Sequence, residues 1–227
     1  MIKAVIFDMF ETLITHYESP LYFGKQMAED AGISEEKYRE IWDLSENDRS
    51  IGKVSFEEVV KQILDANNIF SEELFSKIVT KRKDAKIECF NHIHKDIIPL
   101  FETLKNRGLK IGLITNCFSE EAEIIQDCIL FPYFDAALMS CKEGIQKPDK
   151  QIFINCMNRL GVQPEDCLYV GDGGSFELET ALQLRMKPLQ AVWYLKEGTT
   201  QPVQRKDNFI QIEKPMDIMK YCDRLHL

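Results

Sequence analysis

The sequence has no C-x-x-C pair, no long apolar run and no excess of positive charge, and each absence excludes a class of protein. Its seven cysteines (Cys89, Cys117, Cys128, Cys141, Cys156, Cys167 and Cys222) are odd in number and scattered. A zinc or disulfide framework is therefore not expected, and reduced thiols in a cytoplasmic protein are. No stretch approaches the roughly 18 apolar residues of a membrane span. Lys3 and Asp8 bracket an N-terminal apolar run far too short for a secretory signal. The net charge of −9 disfavours a broad nucleic-acid or anionic-membrane surface. A local phosphate site survives that exclusion, because it needs only a few donors and a cation.

What is present reads as an ordinary globular chain of 227 residues, enough for one large domain or a domain carrying an insertion. "KAVIF" (3–7) is short, continuous and β-branched, which predicts a strand buried on both faces. Similar runs recur at 109–115, 136–140, 167–171 and 189–195, with helical-length segments at 119–130, 149–160 and 175–186. Strands alternating with helices predict right-handed βαβ units and a doubly wound, Rossmann-like parallel sheet. Residues 20–89 break the alternation with four segments that open near Ser and then show apolar residues at helical spacing. They predict an inserted all-helical domain at 15–89, with 1–14 and 90–227 forming the α/β core. A polar tail after 200 is expected to end in a short helix near 215–225.

Ligands of such sheets sit beyond the carboxyl ends of the strands. Asp8, Thr115, Asn116 and Asp172 fall there, and Lys147 stands in "GIQKPDKQIF" just before a helix. Two acids, a hydroxyl, an amide and an ammonium thus converge on one edge. Each alone has a plainer reading, such as a turn aspartate, a helix cap or a solvated lysine. "GDGG" is not a dinucleotide fingerprint, because Phe176 stands in the third glycine place.

In order and spacing, "DMFET", "LITN", Lys147 before Pro148 and "GDGGSFE" resemble the four motifs of the haloacid dehalogenase superfamily. Most members hydrolyse phosphate esters, and one large branch carries a helical cap after the first strand. The resemblance implies Asp8 as nucleophile, forming an aspartyl-phosphate. It implies Mg2+ held by Asp8, Asp172 and the backbone carbonyl of Phe10, with Glu177 supporting that shell. Thr12, Thr115, Asn116 and Lys147 would bind the substrate, Thr115 and Lys147 also serving catalysis. The expected partner is a small phosphorylated molecule; nothing in the pattern sets an oligomeric state.

One position departs from the phosphatase pattern. Phe10 stands where those enzymes place the acid that protonates the leaving group. Its loss typically costs about 10²–10⁴ in rate. Three readings stay open: a phosphatase for good leaving groups, or one drawing on Glu11, His16 or a cap residue; a 2-haloacid dehalogenase, whose family members carry an aromatic residue there and use no magnesium; or a weakly active phosphate-binding or regulatory protein. Phe10 and Phe176 together suggest a drier, narrower pocket. His16 has no visible partner and is expected at a hinge or on the surface, and His92 and His94 face solvent. Tyr38, Trp42 and Phe56 are expected in the insertion's core, while Arg39, Arg49 and Lys53 are candidates to meet a substrate anion.

Overall fold

The computed structural model describes residues 1–196 and 203–223. Six strands form one parallel sheet: β1 (Ala4–Phe7), β2 (Lys110–Thr115), β3 (Ala136–Met139), β4 (Cys167–Gly171), β5 (Lys187–Ala191) and β6 (Ile210–Ile212). Their order is β3-β2-β1-β4-β5-β6. The chain winds outward from β1 to β3, then returns to place β4 on the other side of β1. That reversal opens a crevice at the carboxyl ends of β1 and β4, where doubly wound sheets bind ligands. Phe7 lies level with Leu113 on one side and Val170 on the other. The register therefore carries Asp8, Thr115 and Asp172 to the same edge.

Every residue of β1 is buried, as its continuous apolar run predicts. One face of the sheet packs α6 (Ile97–Asn106), α7 (Ser119–Asp127) and α11 (Met219–Cys222) through Leu100, Phe101, Ile125 and Met219. α8 (Ser140–Glu143) is a single turn after β3. The other face packs α9 (Lys150–Leu160) and α10 (Glu177–Gln183) through Phe153, Met157, Leu160 and Leu178. β5 starts earlier than the apolar run at 189–195. Beyond it the chain leaves the sheet, and Trp193 Nε1 donates to the Thr12 carbonyl (2.9 Å) while the Tyr194 hydroxyl donates to that of Leu13 (3.3 Å). β6 and α6 were not anticipated. The expected tail helix is a 3-10 turn over Pro215–Ile218 followed by α11, and positions 224–225 lie outside the described residues.

Between β1 and α6 stand α1 (Gly24–Ala31), α2 (Glu35–Trp42), α3 (Glu46–Ser50), α4 (Phe56–Ala66) and α5 (Glu72–Cys89). The expected serines cap three of them: Ser34, Ser55 and Ser71 each accept a first-turn N–H. These helices enclose their own core of Met27, Tyr38, Phe56, Val60, Ile63 and Ile78, with Trp42 packed against it. Among the described residues, no helix is long and apolar enough to cross a membrane.

Candidate active site

Asp8 is the first residue past β1, and its N–H donates to the Val170 carbonyl (2.9 Å), which pins it to β4. Asp8 Oδ1 accepts from Met9 N–H at 2.8 Å and lies 2.7 Å from Lys147 Nζ. Both contacts fall on Oδ1, so Oδ2 is the oxygen open to a substrate or cation. Lys147 is fully buried, and its backbone is clamped by Asn116. Asn116 Oδ1 accepts the Lys147 N–H (2.8 Å), and its Nδ2 donates to the Lys147 carbonyl (3.0 Å). The amide of Asn116 therefore positions the lysine. Thr115 is buried with only a long 3.4 Å contact to the Asn116 carbonyl. Thr12 Oγ1 is buried with no hydrogen-bond partner, which is costly unless a ligand oxygen completes it.

On the far side, Asp172 Oδ1 accepts the Gly174 N–H (3.0 Å). The two carboxylate oxygens of Glu177 take the N–H groups of Gly173 (2.7 Å) and Ser175 (2.6 Å), folding the "GDGG" turn around them. Gly171 permits that approach, since a Cβ there would sit 2.8 Å from Glu177 Oε1. Asp8, Asp172 and Glu177 each offer an oxygen within 4.8 Å of the others, all three buried. Burial pushes the Asp8 carboxyl up to about 6, with Lys147 opposing and Glu177 adding to the rise. Burial, then Glu177 and Asp8, raises Asp172 far above the usual carboxylate range. Burial disfavours the Lys147 ammonium, yet Asp8, Glu177 and Asp172 outweigh it and hold its pKa high. Three acids facing one ammonium leave the site short of positive charge. A hard, oxygen-only donor set of this kind fits Mg2+.

Around Phe10 the structure departs from expectation. His16 is not on the surface: its ring stacks on Phe10 with centroids 4.7 Å apart. Its Nδ1 lies 3.1 Å from Glu11 Oε1 and its Nε2 2.6 Å from Lys86 Nζ. Burial, then Lys86, lowers the pKa of the imidazole. Glu11 also accepts from Thr15 Oγ1 (2.6 Å) and His16 N–H (2.9 Å), so its carboxylate is turned toward His16. Lys86 also reaches Glu121 (2.6 Å), and Arg82 spans Glu120 and Glu121 at 3.1 Å each. This buried network joins α5 to α7 and was not anticipated. Its partners are far apart in sequence, and Glu120 and Glu121 look like ordinary first-turn acids.

The remaining candidates separate. Phe176 is 66% exposed with a left-handed backbone (φ 53°), so it does not narrow the pocket. Arg39 and Lys53 make exposed ion pairs with Glu35 and Asp48. Arg49 is buried, its guanidinium 3.5 Å from the Trp42 ring centroid and 4.2 Å from that of Phe118. His92 and His94 are half-buried, and His94 Nδ1 accepts the Asp96 N–H (3.1 Å).

Comparison with known proteins identifies the family. The glyceraldehyde 3-phosphate phosphatase of Methanopyrus kandleri is 26% identical over 240 residues, covering 96% of each chain. Among solved structures, a HAD phosphatase from Thermococcus onnurineus superposes with a TM-score of 0.68 at 21% identity, covering 98% of both chains. A 2-haloacid dehalogenase from Pseudomonas syringae pv. tomato superposes with 0.65 at 20% identity, covering 97% of both. Phosphatase and dehalogenase thus share this fold, and the fold alone does not separate them. The family model of haloacid dehalogenase-like hydrolases matches residues 2–184, most of the chain, and the protein belongs to that family.

Proposed function

We propose that the protein is a magnesium-dependent phosphatase that hydrolyses a small phosphorylated molecule through Asp8. Residues 15–89 act as a cap over a core formed by 1–14 and 90–227. The observation that carries the reading is the buried trio Asp8, Asp172 and Glu177 around the single ammonium of Lys147. A dehalogenase has no need of a cation held by Asp8 and Asp172. The end-to-end match to a curated phosphatase supports the same reading. Seven free thiols support a reducing, cytoplasmic setting.

Asp8, Asp172 and the Phe10 carbonyl would hold Mg2+, which when bound supplies positive charge beside the phosphoryl group. Glu177 supports them by fixing the turn that carries Asp172. An Asp8 carboxylate oxygen attacks phosphorus, the ester oxygen leaves, and water later cleaves the aspartyl-phosphate. Thr12 Oγ1 and Thr115 Oγ1 donate to phosphoryl oxygens, and Lys147, held by Asn116, balances the charge that builds on them. Phe10 supplies no proton, so the preferred esters have leaving groups that depart with little help, such as acyl or enol phosphates.

The test is p-nitrophenyl phosphate hydrolysis with magnesium, parent against Asp8→Asn. Turnover should fall about 10³–10⁶-fold in the variant and vanish with chelator. Phe10 favours one other reading, a dehalogenase. Halide release from a 2-haloacid, indifferent to chelator and with no phosphate ester hydrolysed, would establish that reading instead. Activity toward neither substrate would point to a binding role.

A further inference from the structure

Two thiols lie outside the reaction just described but beside the segments that perform it. Cys117, two residues past Thr115, and Cys141, in α8, hold their sulfurs 3.9 Å apart. Cys117 is buried and Cys141 half-buried, so an oxidant from solvent meets Cys141 first. Ser140, next to Cys141 in the chain, holds the Cys117 backbone, its hydroxyl accepting the Cys117 N–H (3.0 Å) and donating to its carbonyl (3.2 Å). The Cys117 thiol and nearby Lys142 favour the thiolate at Cys141 against its burial, and thiolate is the reactive form.

The pair sits where movement matters. Cys117 follows Asn116, which clamps the backbone of Lys147. Cys141 begins the segment that runs through Gly144 to Lys147. From the cap, the turn at Gly52 (φ +71°) rests on the same spot: a Cβ there would lie 1.9 Å from the Cys141 carbonyl oxygen. No slack separates the cap turn from this cysteine.

We propose that Cys117 and Cys141 form a reversible intramolecular disulfide when exposed to a peroxide, and that the bond slows turnover. Cys141 thiolate attacks one peroxide oxygen and breaks the O–O bond, giving a sulfenic acid; the departing hydroxide takes up a proton and leaves as water. Cys117 sulfur then attacks Cys141 Sγ, the S–S bond forms, the S–O bond breaks and a second water departs. Two thiols and one hydrogen peroxide thus become one disulfide and two waters. A dithiol reductant reverses the change. An S–S bond of about 2.05 Å requires the 3.9 Å gap to close by nearly half. Closing it draws together the segment that carries the Asn116 clamp and the segment on which the Gly52 turn rests.

The experiment exposes the protein to hydrogen peroxide, blocks remaining thiols, and maps peptides without reduction. The expected result is a linked Cys117–Cys141 peptide, two hydrogens lighter than its parts, and a loss of p-nitrophenyl phosphate turnover of roughly tenfold. Displacing a positioning group by about 1 Å costs up to about 10²-fold. Dithiothreitol should restore turnover. Cys141→Ser should keep basal turnover and resist peroxide, whereas Cys128→Ser, which removes a half-buried thiol elsewhere, should remain sensitive. Absence of the linked peptide, linkage with undiminished turnover, or equal sensitivity in Cys141→Ser would overturn the proposal. Should phosphate esters not be substrates, the linked peptide and faster tryptic cleavage at Lys53, beside Gly52, still decide it, because neither depends on the reaction.

Discussion

At the scale of single residues, the proposed chemistry turns on Phe10. Its ring stacks on His16 and lies 5.2 Å from the Lys86 ammonium, so an aromatic face occupies the place of the missing acid. Phe10→Asp should restore proton delivery to esters whose leaving groups need it. Turnover of an alkyl phosphate should rise relative to p-nitrophenyl phosphate, by up to about 10²–10⁴-fold; an unchanged ratio would show that the acid is supplied elsewhere or not needed. Asp8, Lys147, Asp172 and Glu177 were legible in the sequence because each sits in a short motif at a strand end or a helix start. His16 was not, because its buried setting depends on Lys86, 70 positions away. Asn116 was legible as a candidate at the same sheet edge, but its clamp on Lys147 depends on a loop 31 positions on.

At the scale of elements, the seam between α5 and α7 ties the inserted helices to the sheet domain. The buried residues of α5 are Ile78, Arg82, Lys86 and Cys89, one helical stripe with two cations in its middle. A stripe of that kind blurs the apolar periodicity from which helix faces are read, so helix α5 was legible and its docking face was not. β6 is only three residues long, and its pairing with β5 gave no local signal. Arg82→Met would leave Glu120 and Glu121 less compensated in a buried place. It should destabilise by about 3–5 kcal/mol, measured by denaturant unfolding. Burial raises the Glu121 pKa, but Lys86 and Arg82 outweigh it and bring it down to about 2 from an ordinary 4.5. A depressed carboxyl contributes stability that is present above pH 4.5 and lost as pH falls through about 2. Unfolding curves across that window should therefore show a shallower acid loss in Glu121→Gln than in the parent.

At the scale of the whole molecule, the parallel sheet gathers acids at its central crevice, and the inserted helices pack against α7 and α8 beside it. The alternation of apolar runs and helical segments made this architecture readable, since the order of strands follows from few topological options. The charge balance at the crevice was not readable, because it depends on three carboxylates meeting within 4.8 Å. That concentration weakens the metal-free fold. Asp172 has a raised carboxyl pKa, so ionising it costs the folded state stability once pH exceeds the unfolded value. Without divalent ions near neutral pH, Asp172→Asn should therefore melt higher than the parent. With magnesium the order should reverse. A ligand that binds only the folded state at 100 times its Kd adds about 2.7 kcal/mol, roughly 5–10 °C for a chain of this size. The parent should show that rise in a thermal melt and Asp172→Asn should lose most of it. Equal shifts in the two proteins would place the ion elsewhere, and no shift in either would remove magnesium from the site regardless of any activity.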